Sequence, residues 1–133
     1  MQMKYPGPAA VPTGMHPHPT DRIPPPMLLN SVQFPEDSIA EFCLRHDVAR
    51  MSLFGSILRS PSPEGGHGFR PSSDVDILVE FLPDRTPSLL DFAGMQLELS
   101  ELIGREVQLH TPPMLSPVFR HTVLKEARML HAA

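Results

Sequence analysis

The chain has 133 residues and a formal net charge of −4, with 41% hydrophobic and 20% charged residues. This is the composition of an ordinary soluble globular chain, and it excludes wholesale disorder. The net charge is negative, whereas a protein that mainly binds a nucleic-acid backbone normally has an excess of basic residues. The composition therefore disfavours nucleic acid as a partner.

Cysteine usage and hydropathy exclude two further classes of protein. Because Cys43 is the single cysteine, neither an intrachain disulfide nor a cysteine cluster for zinc can form. Its helical spacing with Ile39, Phe42 and His46 predicts a buried thiol rather than a nucleophile. No apolar run approaches the roughly 18 to 20 residues of a membrane helix, and no signal-peptide pattern begins the chain. We therefore expect a cytoplasmic protein with no membrane segment.

The first 33 residues differ in composition from the rest. They include the stretch "YPGPAAVPTGMHPHPTDRIPPP", in which proline removes backbone donors and little can be buried. We predict a flexible tail over residues 1–33, with His16 and His18 solvated in it. Residues 34–133 are predicted to form one domain.

The first half of this domain begins with a helix in "PEDSIAEFCLRHD", with Pro35 at its first position. "ARMSLFG" predicts a short strand that ends at Gly55, followed by one helical turn. The Pro- and Gly-rich "PSPEGGHGFRPSS" predicts a loop. "DVDILVEFL" alternates apolar and polar residues and predicts the next strand.

The second half continues with a helix, a strand and a helix. The helix in "SLLDFAGMQLELSELIG" is predicted to end at Gly104 and to bury one broad apolar side: Leu89, Leu90, Ala93, Leu97, Leu102 and Ile103. "REVQLHT" predicts a strand, and "SPVFRHTVLKEARMLHA" predicts a closing helix. The order of elements predicts an α/β fold, with helices packed against one small mixed β-sheet.

Two carboxylates open the strand "DVDILVEFL". Residues i and i+2 of a strand point to the same side, roughly 6 to 7 Å apart along the backbone, so Asp74 and Asp76 can converge on a cation. Their hard oxygen atoms suit Mg²⁺, which takes few protein ligands and leaves positions for substrate phosphates. Two solvated aspartates at a strand end are the alternative that the pair alone leaves open.

The upstream stretch "FGSILRS" favours the metal interpretation. A strand that ends in Gly and Ser and turns at once into a helix exposes backbone N–H groups to a phosphate. Gly55 permits close approach, Ser56 can donate a hydrogen bond, and Arg59 can neutralise charge. These three residues are therefore candidate nucleotide-binding residues.

This combination resembles the minimal nucleotidyltransferases of the DNA polymerase β superfamily, small bacterial proteins often paired with a HEPN toxin. The resemblance spans about residues 35–133 and includes "LFGS", "SDVDILVEF" and "TPPMLSPVFRHTVLKEARML". It implies a nucleotidyltransferase fold. It also implies that Gly55 and Ser56 hold the triphosphate of ATP, and that Asp74 and Asp76 are catalytic ligands of Mg²⁺. The implied activity is transfer of AMP to a hydroxyl of the toxin, which in several such antitoxins is that of a tyrosine.

The chain departs from the family pattern at two points. The segment between Ser56 and Asp74 is longer than usual, which a surface loop tolerates. Gln108 stands where the family has a third carboxylate. Its neutral amide can offer an oxygen atom to a metal but cannot offset charge, so we expect weakened catalysis. Glu106 and His110 share the polar face of that strand, and we do not expect either to replace the missing carboxylate.

Three functions stay open at this point. The first is a Mg²⁺-dependent adenylyltransferase antitoxin. The second is a binding module that neutralises its toxin by occlusion after its catalysis has decayed. The third, nucleotide transfer to an RNA end, is disfavoured by the acidic balance.

Overall fold

The computed structural model describes residues 27–59 and 68–133. The predictions for residues 1–26, with His16 and His18, and for residues 60–67 lie outside the described residues. The elements follow in this order: β1 (Leu28–Leu29), β2 (Val32–Gln33), α1 (Glu36–Arg45), β3 (Val48–Phe54), a 3-10 turn (Gly55–Leu58), β4 (Val75–Phe81), α2 (Leu89–Ile103), β5 (Val107–His110), a second 3-10 turn (Pro112–Met114), α3 (Pro117–Glu126) and β6 (Arg128–Ala132).

Four strands form the main sheet, in the order β5, β4, β3, β6. β3 pairs antiparallel with β4 on one side and with β6 on the other. β4 pairs in parallel with β5, and α2 makes the crossover between these two strands. The predicted fold class, helices against a small mixed sheet, is confirmed.

The two faces of the sheet are covered unequally. One face carries the main core, in which Val75, Ile77 and Val79 of β4 are fully buried together with residues of α1 and α2. The other face carries a small second cluster around Phe54, Leu78 and Ala127. The polar residues of β4 and β5 therefore stand on the less covered face, where a substrate can reach them.

Helix α1 buries the predicted apolar stripe. Ile39, Phe42 and Cys43 are buried, while His46 caps the helix and stacks on the Phe42 ring at a centroid distance of 4.5 Å. Pro35 occupies the N-cap, one residue before the predicted position. Burial raises the pKa of the Cys43 thiol to about 12, in agreement with an inert core thiol.

An ionic cluster joins the end of α1 to α2. The Arg45 guanidinium donates a hydrogen bond to Oε2 of Glu98, and Nε2 of His46 lies 3.0 Å from Oε1 of the same carboxylate. The hydrogen bond from Arg45, followed by that from His46, holds the pKa of Glu98 below its ordinary value. The cluster thus fixes one helix against the other near the sheet.

The buried side of α2 differs from the prediction. Met95, Leu99 and Ile103 face the core, whereas Leu89, Leu90 and Leu97 are exposed. The helix carries leucine on more than one side, so apolar spacing alone does not show which side meets the sheet. The predicted end is confirmed, because Gly104 caps the helix in the left-handed conformation.

Ordered structure begins before the predicted domain boundary at residue 34. Residues 28–33 form a two-stranded hairpin, and Met27, Val32 and Phe34 are buried in the main core. The composition of the first 33 residues predicts a Pro-rich tail that includes residues 27–33. Each strand of this hairpin has only two residues. An alternation of apolar and polar residues cannot be recognised over so short a stretch, so the sequence does not predict the hairpin.

The end of the chain is also different from the prediction. Helix α3 stops at Glu126, Ala127 is extended, and Arg128–Ala132 form the edge strand β6. The predicted closing helix is therefore wrong beyond Glu126. β6 pairs with β3, whose outer backbone groups would otherwise lack partners, and this tertiary pairing overrides the helical spacing of Ala127 and Leu130. None of the described helices is long and apolar enough to span a membrane.

Candidate active site

A glycine turn lies at the end of β3. Gly55 follows Phe54 with φ +82° and opens the 3-10 turn Gly55–Leu58. A Cβ atom built on Gly55 would lie 2.7 Å from Oδ2 of Asp76, closer than real Cβ contacts allow. The backbone angle favours glycine here, and any other side chain would also push against the Asp76 carboxylate.

The two predicted aspartates occupy different positions on β4. Asp76 lies within the strand, with a half-buried side chain, opposite Phe54 of β3. Asp74 is exposed and lies just before the strand. The structure thus brings the glycine turn against Asp76, and places Asp74 at the open end of the same strand.

Gln108 is the neighbour of Asp76 across the sheet. The parallel pairing of β4 and β5 sets Asp76 in register with Gln108, and Val75 in register with Val107. Because Val107 is buried and Gln108 is half-buried on the opposite face, the amide stands on the same face as the carboxylate. The residue assigned to the third-carboxylate position is therefore next to Asp76.

His110 lies against Asp76, a contact that the sequence does not predict. Its Nε2 atom lies 3.4 Å from Oδ1 of Asp76, and its ring makes an edge contact with Phe54 at 5.1 Å. The signal was present, because His110 shares the polar face of β5 with Gln108. The alternation within β5 does not give the register between β5 and β4. It therefore does not show that the imidazole reaches Asp76.

The remaining predicted site residues lie on the turn. Ser56 is half-buried, and its carbonyl accepts a hydrogen bond from the Arg59 N–H at 2.9 Å. The Arg59 guanidinium is 3.9 Å from the Glu126 carboxylate of α3, so its charge is directed to the side of the turn that faces α3. The Asn30 amide holds the turn by donating to the carbonyls of Ile57 and Arg59 at 2.7 and 3.1 Å.

This donor set suits a hard divalent cation. Asp74 and Asp76 offer carboxylate oxygens, and Gln108 stands beside Asp76 with an amide oxygen. Among residues 27–59 and 68–133, no group of three or more His, Cys, Asp or Glu side chains is arranged to hold a metal. Carboxylate and amide oxygens of this kind suit a cation that takes few protein ligands and keeps positions for phosphate oxygens and water.

A family model described as "Nucleotidyltransferase domain" matches residues 36–130, which is more than half of the chain. The chain belongs to the nucleotidyltransferase domain family. The match includes β3, the glycine turn, β4 and β5, and so every predicted site residue lies within it. The resemblance stated from sequence is confirmed at the level of the family.

Two relatives support the assignment. A Methanocaldococcus jannaschii protein named "Putative protein adenylyltransferase" is 38% identical over 89 residues, which are 67% of this chain and 86% of that protein. A solved structure named "putative minimal nucleotidyltransferase" is 36% identical and has a TM-score of 0.52. It aligns over 69% of this nucleotidyltransferase and 85% of its own chain.

More distant solved structures share the fold. One is a toxin–antitoxin with AMP-PNP, at 20% identity over 75% of both chains and a TM-score of 0.54. Another is a tri-AMPylated Shewanella oneidensis HEPN toxin in complex with an MNT antitoxin, at 19% identity over 74% of this chain and 70% of that chain, with a TM-score of 0.51. At 19% and 20% identity, this similarity shows only that these proteins share the fold of the nucleotidyltransferase domain.

Proposed function

We propose that this nucleotidyltransferase transfers AMP from ATP to a tyrosine hydroxyl of a HEPN-type toxin and thereby acts as its antitoxin. The proposal is supported by the adenylyltransferase name of the 38% identical relative. It is also supported by two fold neighbours, one solved with AMP-PNP and one with an AMPylated HEPN toxin. Because ATP is the proposed donor, we propose that the protein acts in the cytoplasm.

The contact between the glycine turn and Asp76 carries this proposal. The turn would hold the triphosphate through its backbone N–H groups and the Ser56 hydroxyl. A side chain at Gly55 would meet the Asp76 carboxylate, so a phosphate on the turn would lie beside the residue that would hold the cation. The acceptor hydroxyl would then form a bond to the α-phosphorus, while pyrophosphate leaves and the hydroxyl proton passes to solvent.

Asp74 and Asp76 are the residues that would hold Mg²⁺. When bound, this ion supplies charge neutralisation at the phosphates and at the leaving pyrophosphate. Gln108 contributes an oxygen atom but no negative charge, which weakens the site relative to a three-carboxylate one. His110 contacts Asp76 and so restrains the carboxylate from the side of β5.

A second function is favoured by Gln108. This residue stands in register with Asp76, where the resemblance implies a third carboxylate, and so the catalytic apparatus is incomplete. A protein with the same fold could neutralise a toxin by covering its active surface without modifying it. In that case the carboxylates would be dispensable for neutralisation.

The test is to purify the protein with the HEPN-type product of a neighbouring gene and to follow transfer from α-labelled ATP in Mg²⁺. We expect the toxin to gain AMP, seen also as an increase in intact mass. Asp76→Asn should lower the rate by at least about 100-fold, since even residues outside the metal shell are worth 10- to 100-fold. Gln108→Asp should raise it by about ten-fold, because a third charged ligand strengthens metal binding.

Glu80→Gln is the matched control, because Glu80 lies on the same face of β4 but four residues beyond Asp76. It should leave the transfer rate unchanged. If neither the wild-type protein nor Gln108→Asp labels the toxin, the transferase proposal fails. If the Asp76→Asn variant still neutralises the toxin in cells, the protein acts by covering the active surface of the toxin.

A further inference from the structure

A groove opens between the glycine turn and helix α3, on the side of the turn away from the main core. Its volume is about 340 Å³, which is within the range of small-molecule sites. The residues that line it include Phe54, Gly55, Arg59, Phe119, Val123 and Glu126.

The groove has a buried apolar floor and an exposed aromatic wall. The floor is the second cluster, in which Phe54 is buried and Val123 packs against it. The wall is Phe119, an aromatic ring that is 64% exposed on α3. None of the described side chains between Pro117 and Glu126 is buried. Phe119 therefore lines the groove with a largely exposed ring that the core does not need.

The groove is continuous with the proposed phosphate site. Gly55 belongs to both, and Arg59 lies on the turn with its guanidinium directed to Glu126 on the opposite rim. A ligand whose phosphates bind the turn would extend its next group into this space. The groove suits a flat heterocycle with hydrogen-bonding edges, because it combines an apolar floor, an exposed aromatic ring and a polar rim.

We propose that this groove binds the base of the substrate nucleotide, with the purine ring stacked on Phe119 and its polar edge toward Glu126. The inference deepens the proposed function and depends on it, because the phosphates at Gly55 and Ser56 direct the base. The Glu126 carboxylate accepts a hydrogen bond from the exocyclic amino group of adenine. Arg59 holds that carboxylate at the rim.

The experiment measures the affinity of ATP and of inorganic tripolyphosphate for the full chain by calorimetry in Mg²⁺. Phe119→Ala should weaken ATP binding by roughly ten-fold, in the range found for loss of one base–aromatic stack, and leave tripolyphosphate binding unchanged. Phe119→Tyr keeps the ring and should retain the affinity for ATP. Val118→Ala is the matched control, since Val118 is an 80% exposed neighbour on α3 that does not line the groove.

The outcomes separate this inference from the proposed function. If ATP binds and Phe119→Ala leaves its affinity unchanged, the base site is wrong while nucleotide binding stands. If Phe119→Ala instead raises only the KM for the toxin, the groove holds the acceptor chain and the inference is overturned. If neither ATP nor tripolyphosphate binds the wild-type protein, the proposed function itself fails.

Discussion

Two glycines in the described part of the chain have a positive φ, and they differ in their surroundings. Gly55, at +82°, lies against the Asp76 carboxylate, whereas Gly104, at +79°, has no described heavy atom within 4 Å of the position of a Cβ. Both backbones disfavour any other residue. Only at Gly55 does the missing side chain also make room for a proposed catalytic group.

We predict that Gly55→Ala and Gly104→Ala separate these two effects. Each should lower the free energy of unfolding by about 1 to 2 kcal/mol, because a Cβ is disfavoured at positive φ. Gly55→Ala should in addition weaken nucleotide binding by more than about ten-fold, since the Cβ displaces Asp76. Urea unfolding and calorimetry measure the two quantities. Equal nucleotide affinity in both variants would show that the contact with Asp76 is not used.

Helix α2 shows at the level of an element why apolar spacing is ambiguous. Leucine occurs on its buried side at position 99 and on its exposed side at positions 89, 90 and 97. Both sides satisfy a helical period, so the period predicts a helix without identifying its packed face. Packing against the sheet determines which side of α2 is buried. The residues on that side are Met95, Leu99 and Ile103, which belong to the main core.

We predict a large difference between two leucines of α2 that are two residues apart. Leu99 is fully buried, so Leu99→Ala should lower the free energy of unfolding by about 2 to 5 kcal/mol through lost contacts and a cavity. Leu97 is 67% exposed, so Leu97→Ala should change it by less than about 0.5 kcal/mol. Chemical denaturation of both variants measures this. The assignment of the buried face is wrong if Leu97→Ala costs as much as Leu99→Ala.

For the whole molecule, the sequence predicts what depends on neighbours along the chain and misses what depends on distant pairing. The alternation in β4 and β5 places Asp76 and Gln108 on one face, and the glycine after β3 predicts the turn. The register between strands, which brings His110 to Asp76, is set by the tertiary fold. The same holds for β6, since its pairing with β3 cannot be read from its own residues.

Because the chain has a single cysteine in its main core, that thiol can report the opening of the whole domain. Burial raises the pKa of the Cys43 thiol to about 12, so very little of it is thiolate near pH 8. We predict that alkylation in native conditions is slow and that its rate rises with urea in parallel with global unfolding. A variant with Leu97→Cys and Cys43→Ala carries an exposed thiol instead and should react at once in native buffer. If Cys43 of the native protein reacts as fast as that control, the thiol is not buried and the packing of α1 against the sheet is wrong.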